Sequence, residues 1–266
     1  MTASAEKRRQ WRIRMFGTVL ARPILASLLL LGAVSALFWT APGIDLAVTG
    51  LYYSPDDWFP GRTNEALVLL RRIGIDAARG ITICVVLLVV IRILFWRGPA
   101  VLSGRSLAFL LSSAALGPGL IVNIFLKEVW GRPRPHMVEL FGGDVPFVPV
   151  WQITDYCQGN CSFVSGEAAS AFWLFAFVFL VPRDMRRALF AAVALFAGAV
   201  SLNRIAFGGH FVSDVLIAWC LTLVVILAMR VLFLRPAGTP DPYDAALVSI
   251  GRAVSAVFST QSPSRG

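Results

Sequence analysis

The chain has 266 residues, of which 57% are hydrophobic and only 15% charged, with a formal net charge of +9. A mean hydropathy of +0.73 and that scarcity of charge exclude an ordinary soluble domain, in which about a quarter of residues would be charged, and point to an integral membrane protein. The positive balance does not imply a nucleic-acid partner, because the basic residues sit at the ends of apolar runs and no basic-aromatic groove pattern is visible.

A helix needs about 20 apolar residues to cross a bilayer. Six segments approach that length: residues 23–41, 80–96, 107–126, 164–181, 188–202 and 211–234. The first reads as a span and not a cleaved signal, since no small-x-small pattern follows Trp39. The expected fold is all-α, a bundle of six transmembrane helices over residues 20–234. A basic cytoplasmic segment (1–19) precedes it, and a cytoplasmic tail (235–266) follows. No repeat of fixed period interrupts this single domain.

Lys7, Arg8, Arg9, Arg12, Arg14 and Arg22 precede the first segment, Arg97 and Arg105 join the second to the third, and Arg183, Arg186 and Arg187 join the fourth to the fifth. Cytoplasmic ends carry the excess of Lys and Arg, so both termini are expected inside, in a bacterial inner membrane. Arg92 and Arg230 read as snorkelling anchors.

Two longer loops then face the periplasm. One contains "GIDLAVTGLYYSPDDWFPG", whose aromatic rings suit a membrane-water interface. The other, residues 127–163, is kept out of regular helix by prolines and glycines. It holds Cys157 and Cys161, four apart, which an oxidising compartment permits to pair. Cys84 and Cys220 lie within spans as small core residues. With His136 and His210 as the only histidines and no second cysteine pair, no metal site is expected. In the tail, residues 245–258 read either as an interfacial amphipathic helix or as weakly ordered chain.

The ionisable residues that look misplaced converge on the outer ends of the helices. Lys127 follows the third span, and Arg134 lies seven residues on. Ser165, Gly166 and Glu167 open the fourth span, Arg204 closes the fifth, and His210 and Asp214 open the sixth. Lys127, Arg134 and Arg204 supply positive groups, two of them planar forks suited to phosphate oxygens. Backbone N–H groups at Ser165 and Gly166, at a helix start, can point at an anion. His210 and Asp214, four apart on a helix, share a face, so the carboxylate fixes one imidazole nitrogen and leaves the other free to attack. Singly, each residue is better explained as an anchor or a structural group; jointly they make a phosphate pocket with a nucleophile beside it.

In these residues the chain resembles the type 2 phosphatidic acid phosphatase superfamily of membrane lipid phosphatases. The resemblance is carried by Lys127 with Arg134-Pro135, by "VSGE" at 164–167, and by Asn203-Arg204 followed by His210 and Asp214 at the family's spacing. It departs from the pattern at Val164, Asn203 and Glu167, where the family has Pro, Ser and His.

The resemblance implies a phosphohydrolase in which His210 attacks phosphorus and Asp214 orients it. Lys127, Arg134, Ser165, Gly166 and Arg204 hold the phosphoryl oxygens, and water then cleaves the phosphohistidine. Neither cofactor nor metal is implied. With histidine missing at position 167, the acid that protonates the leaving oxygen is either Glu167 or His136, or Glu167 only pairs with Lys127 or Arg134. The expected substrate is a lipid phosphate: a lipid A-type glycolipid, a polyprenyl diphosphate or a glycerophospholipid. Loop texture adds a narrower similarity to lipid A phosphatases. A phosphotransferase using the same histidine is the alternative. A transporter fits less well, since its charges would spread through the membrane depth.

Overall fold

In the computed structural model the described backbone comprises residues 3–98, 100–235 and 239–260, with side chains described from residue 22 to residue 257 within those stretches. The side chains of the basic segment at 1–19, and tail residues 236–238 and 261–266, lie outside what is described. Helices α1 (Ala3–Thr40), α3 (Glu65–Leu94), α7 (Arg186–Ala206) and α8 (Val212–Phe233) are continuous. Helix α4 (Gly104–Ala114) runs on through a π-helical stretch, Ala115–Leu126, into the single turn α5 (Lys127–Val129). Helix α6 (Gly166–Trp173) ends in a 3-10 stretch, Leu174–Phe179.

Among the described residues five helices are long and apolar enough to cross a membrane, and Gly166–Phe179 is a shorter apolar helix. The all-α bundle is thus as expected, with the fourth pass shorter than residues 164–181. Helix α3 starts well before residue 80. Arg71, Arg72, Asp76 and Arg79 depress the hydropathy of its N-terminal half, yet Asn64 caps it by accepting from the Leu67 N–H at 3.1 Å.

Helix α8 is the axis: 44% of its apolar window is buried against 11% for α1 and α3, whose outer faces carry Leu25, Leu28, Leu29, Ile83, Leu87 and Ile91. Lipid tails are as apolar as these side chains, so the bundle is held by close fit and interhelical hydrogen bonds, not by exclusion from water. Trp173 of α6, fully buried among Phe109, Leu110, Val193 and Ile226, donates to Ser113 Oγ of α4 at 3.0 Å.

The π-helical stretch has a local cause. Pro118 has no N–H and its ring crowds the preceding turn, which widens the helix at that point. Asn123 Nδ2 takes up the Pro118 carbonyl at 2.6 Å. The same Asn123 side chain lies where a Cβ on residue 166 would be, so only glycine lets α6 close on this helix and bring residue 167 beside Lys127.

Outside the bundle, α2 (Gly43–Gly50) and the loop after it fold over the helix ends. Phe59 is 1% exposed and packs with Val138, Phe141 and Phe211, while Trp58 Nε1 donates to the Phe141 carbonyl at 2.8 Å. The aromatic loop therefore forms a small core of its own more than an interfacial belt. At the opposite end of the bundle, α9 (Pro242–Thr260) packs on α3 and α4. Arg92 holds Asp244 with two 2.9 Å bonds, so it is a helix-to-helix tie and not a snorkelling anchor. The pair holds Asp244 below the usual carboxylate range, the Arg92 hydrogen bonds being the main cause.

Candidate active site

His210 lies in the turn between α7 and α8, which reverses at Gly208-Gly209. Gly208 has φ +58°, and a Cβ there would meet the Phe59 ring at 2.6 Å; Gly209 packs its backbone against the Arg204 guanidinium. His210 is 1% exposed, and its Nδ1 is 2.7 Å from the Ser162 carbonyl. A carbonyl only accepts, so Nδ1 carries the proton and Nε2 keeps its lone pair. Burial, then Arg204, Arg134 and Lys127, push the His210 pKa well below its ordinary 6.5, leaving a neutral imidazole in the field of three cations.

Asp214 does not do what its spacing suggests. His210 precedes the helix that carries Asp214, and its Nδ1 is 3.9 Å from Asp214 Oδ2, beyond a hydrogen bond. Asp214 Oδ2 accepts from Ser162 Oγ at 2.5 Å and from the Phe211 N–H at 2.9 Å, while Oδ1 accepts from Arg132 at 2.6 Å. The carboxylate thus holds Ser162, and the Ser162 carbonyl holds the imidazole.

Behind Asp214 is a buried network absent from the sequence expectations. Arg132, with no exposure, donates to Asp214, Asp45 (2.9 Å), Ser213 Oγ (2.9 Å) and the Val148 carbonyl (2.8 Å). Asp45 of α2 also accepts from Ser213 N–H and Oγ–H at 2.9 and 2.6 Å. Two carboxylates against one guanidinium, all bonded, make a satisfied cluster in a place where an unpaired charge would be costly. The signal for Arg132 was available: it stands two residues before Arg134 in "GRPRP".

The expected phosphate ligands come together with one exception. Arg204 is 3% exposed, and its Nε and Nη1 are buried without a hydrogen-bond partner among the described residues. Arg134 is half-buried and gives Nε and one Nη to the Asn160 carbonyl, at 2.9 and 2.6 Å. Lys127, Gly166 and Glu167 line a cavity of about 890 Å³ with Arg71 and Arg79.

Ser165 is the exception. Its N–H donates to the Asp214 carbonyl at 3.2 Å, and its Oγ caps α6 by accepting from the Ala168 N–H at 3.4 Å. Its backbone donor is therefore spent inside the protein and is not offered to an anion; Gly166 and Glu167 are the first-turn N–H groups without an intrahelical acceptor.

Glu167 pairs with Arg71 (3.3 Å) and with Arg204 Nε (3.4 Å), in place of the expected Lys127 or Arg134, and its Oε2 is buried without a hydrogen-bond partner among the described residues. Arg71 escaped the sequence expectations because it lies in the N-terminal half of α3, before the apolar run. Asn203, in the family's serine position, is buried and ties α7 to α3 through the Leu67 carbonyl at 2.8 Å. His136 Nδ1 is 2.8 Å from the Gly208 carbonyl, and its ring stands edge-on to Trp58. Burial, with Arg62 and Arg134 nearby, lowers its pKa to about 4 against the hydrogen bond to Gly208. Cys157 and Cys161 form a disulfide, as their spacing permitted.

A sequence model of the PAP2 superfamily matches residues 106–236, the stretch that holds all the expected site residues. Lipid A 4'-phosphatase of Rhizobium etli is 36% identical over 256 residues, covering 87% of this chain and 95% of that protein. Lipid A 4'-phosphatase of Rhizobium leguminosarum is 36% identical over 214 residues, or 75% and 91% of the two chains. The crystal structure of a transmembrane PAP2-type phosphatidylglycerolphosphate phosphatase from Bacillus subtilis superposes with a TM-score of 0.48 at 21% identity, over 79% of this chain and 94% of that one. Family membership follows from the reach of the Rhizobium likenesses: this chain belongs to the PAP2 superfamily, as a bacterial integral-membrane phosphatase.

Proposed function

We propose that the chain removes the 4'-phosphate from a lipid A-type glycolipid at the periplasmic face of the inner membrane, through a phosphohistidine on His210. One observation carries the chemistry: a neutral, tautomer-fixed His210 lies beside a buried Arg204 whose Nη1 has no hydrogen-bond partner among the described residues and whose Nε has only the 3.4 Å ion pair with Glu167. Such donors are costly in an empty protein and useful when a phosphoryl group arrives. The substrate class is supported by the two Rhizobium relatives. The orientation is supported by the basic ends of the spans and by a disulfide in the opposite loop.

In the reaction, Nε2 of His210 forms a bond to phosphorus while the bond from phosphorus to the sugar oxygen breaks. Arg204, Arg134 and Lys127 neutralise charge spreading over the equatorial oxygens, together with the N–H groups that open α6. The phosphate takes Arg204 from Glu167, and the freed carboxylate relays the proton brought in on the phosphate monoanion to the departing oxygen. Glu167 then receives a proton from the water that attacks the phosphohistidine, and inorganic phosphate leaves. His136 is a poor donor by comparison: neutral, with its one N–H spent on Gly208, it has only an acceptor nitrogen left. Asp214 and Ser162 keep His210 in place.

The test is purified protein in detergent with bisphosphorylated lipid A, read by mass spectrometry of the lipid and by released inorganic phosphate. Loss of the 4'-phosphate with matching inorganic phosphate is expected. Transfer of that phosphate to a second lipid would overturn the hydrolase reading, and an untouched lipid A beside a hydrolysed polyprenyl diphosphate would overturn the substrate.

A further inference from the structure

The segment from Thr154 to Ser162 lies along Trp130–Arg132, sewn at both ends by backbone bonds: Thr154 N–H to the Trp130 carbonyl at 3.1 Å, and Ser162 N–H to the Arg132 carbonyl at 2.9 Å. Ser162 is fully buried and carries His210. Between the stitches the chain leaves the protein, and Gln158, Gly159 and Asn160 are exposed. Yet the carbonyl of exposed Asn160 is the acceptor that fixes two of the three guanidinium nitrogens of Arg134.

Little else holds that apex. Asn160 N–H reaches Glu128 Oε1 at 3.4 Å, and Gln158 Nε2 reaches the Asp155 carbonyl at 2.7 Å. Asn160 itself has φ +50°, a conformation that costs free energy for a residue with a side chain and needs support from its surroundings. The Cys157–Cys161 bond brackets the apex, with buried Cys161 adjoining the Ser162 anchor. Opening it returns loop-closure freedom to Gln158, Gly159 and Asn160, and the carbonyl then has no fixed position.

We propose that the Cys157–Cys161 disulfide is a positioning element of the reaction: it sets the Asn160 carbonyl, which aims the Arg134 guanidinium at the phosphoryl group. This rests on the phosphatase reading above. Arg134 aimed in advance contributes more to the transition state than Arg134 that must be ordered during the reaction. The protein is consequently most active once it has matured in an oxidising compartment.

The test uses full-length protein in detergent with bisphosphorylated lipid A, oxidised and after treatment with dithiothreitol. In that treatment two electrons and two protons pass from the dithiol to Cys157–Cys161, giving two thiols and a cyclic disulfide. Alkylation of the peptide carrying both cysteines confirms that the bond has opened. The expected result is a fall in kcat of about tenfold or more, recovered on reoxidation, with the nucleophile still in place. A double-mutant cycle separates aiming from general loosening. Arg134→Ala should cost about 100-fold in disulfide-bonded protein but about tenfold or less in the Cys157→Ser/Cys161→Ser background, whereas Arg204→Lys should cost the same in both. Undiminished activity after verified reduction, or an Arg134→Ala penalty equal in the two backgrounds, overturns the proposal. If the double serine variant does not fold, the same cycle run on reduced and oxidised protein decides it. Oxidised protein that hydrolyses no lipid phosphate would instead sink the phosphatase reading.

Discussion

Glu167 occupies the position where the family pattern has histidine, and its surroundings allow a sharp test. One oxygen is shared by Arg71 and Arg204, and the other is buried with no hydrogen-bond partner among the described residues. If Glu167 supplies the leaving-group proton, Glu167→Gln should lose about 100-fold with a natural lipid phosphate and far less with an aryl ester whose leaving group needs no proton. Steady-state rates on both substrates check this, and equal losses would reduce Glu167 to an ion-pair partner. His136 bears on stability instead. Its pKa is about 4 in the folded chain against an ordinary 6.5, so on acidification the unfolded chain takes up the proton first. Its contribution is full above pH 6.5 and is lost as pH falls from 6.5 to 4; His210 acts in the same direction. Thermal midpoints should therefore drop across that window, and less steeply in His136→Asn, whose amide N–H can still reach the Gly208 carbonyl. An unchanged slope in that variant would contradict the assignment.

Helix by helix, what the sequence revealed depended on how local the signal was. Six apolar runs announced the bundle, and motif spacing announced Lys127, Arg134, Arg204 and His210, because each is readable within a few residues. The partners that hold them are remote. Asp45 and Arg132 are 87 residues apart, Arg132 and Asp214 are 82 apart, and Ser162 and Asp214 are 52 apart, so no periodicity marks them. The His210–Asp214 spacing misled for a local reason, since the helix starts after His210 and turns the carboxylate back to cap Phe211. The widened helix at Pro118 was equally unseen, and it sets how close α6 can come. Gly166→Val should push α6 off Asn123 and displace Glu167 from Lys127, with a loss of about 100-fold in kcat/KM that Asn123→Ala, by making room, should partly restore. Absence of any rescue would show that the contact is not what glycine serves.

Across the whole molecule, the basic connections and the chemistry lie at opposite ends of the bundle. The basic connections and α9 lie at one end, while α2, the aromatic loop and the disulfide loop close over His210 at the other. A single cysteine placed at Gln152, in a background lacking the native cysteines, should react with an impermeant maleimide in intact cells. Labelling only after the cytoplasm is opened would invert the topology. The central claim is that a phosphoryl group passes through His210, and the direct measurement is to capture it there. Protein mixed with radiolabelled lipid phosphate and quenched in alkali should carry acid-labile, alkali-stable phosphate on the peptide containing His210, with neither label nor turnover in His210→Ala. Turnover by His210→Ala at the wild-type rate, or label on another residue, would contradict it.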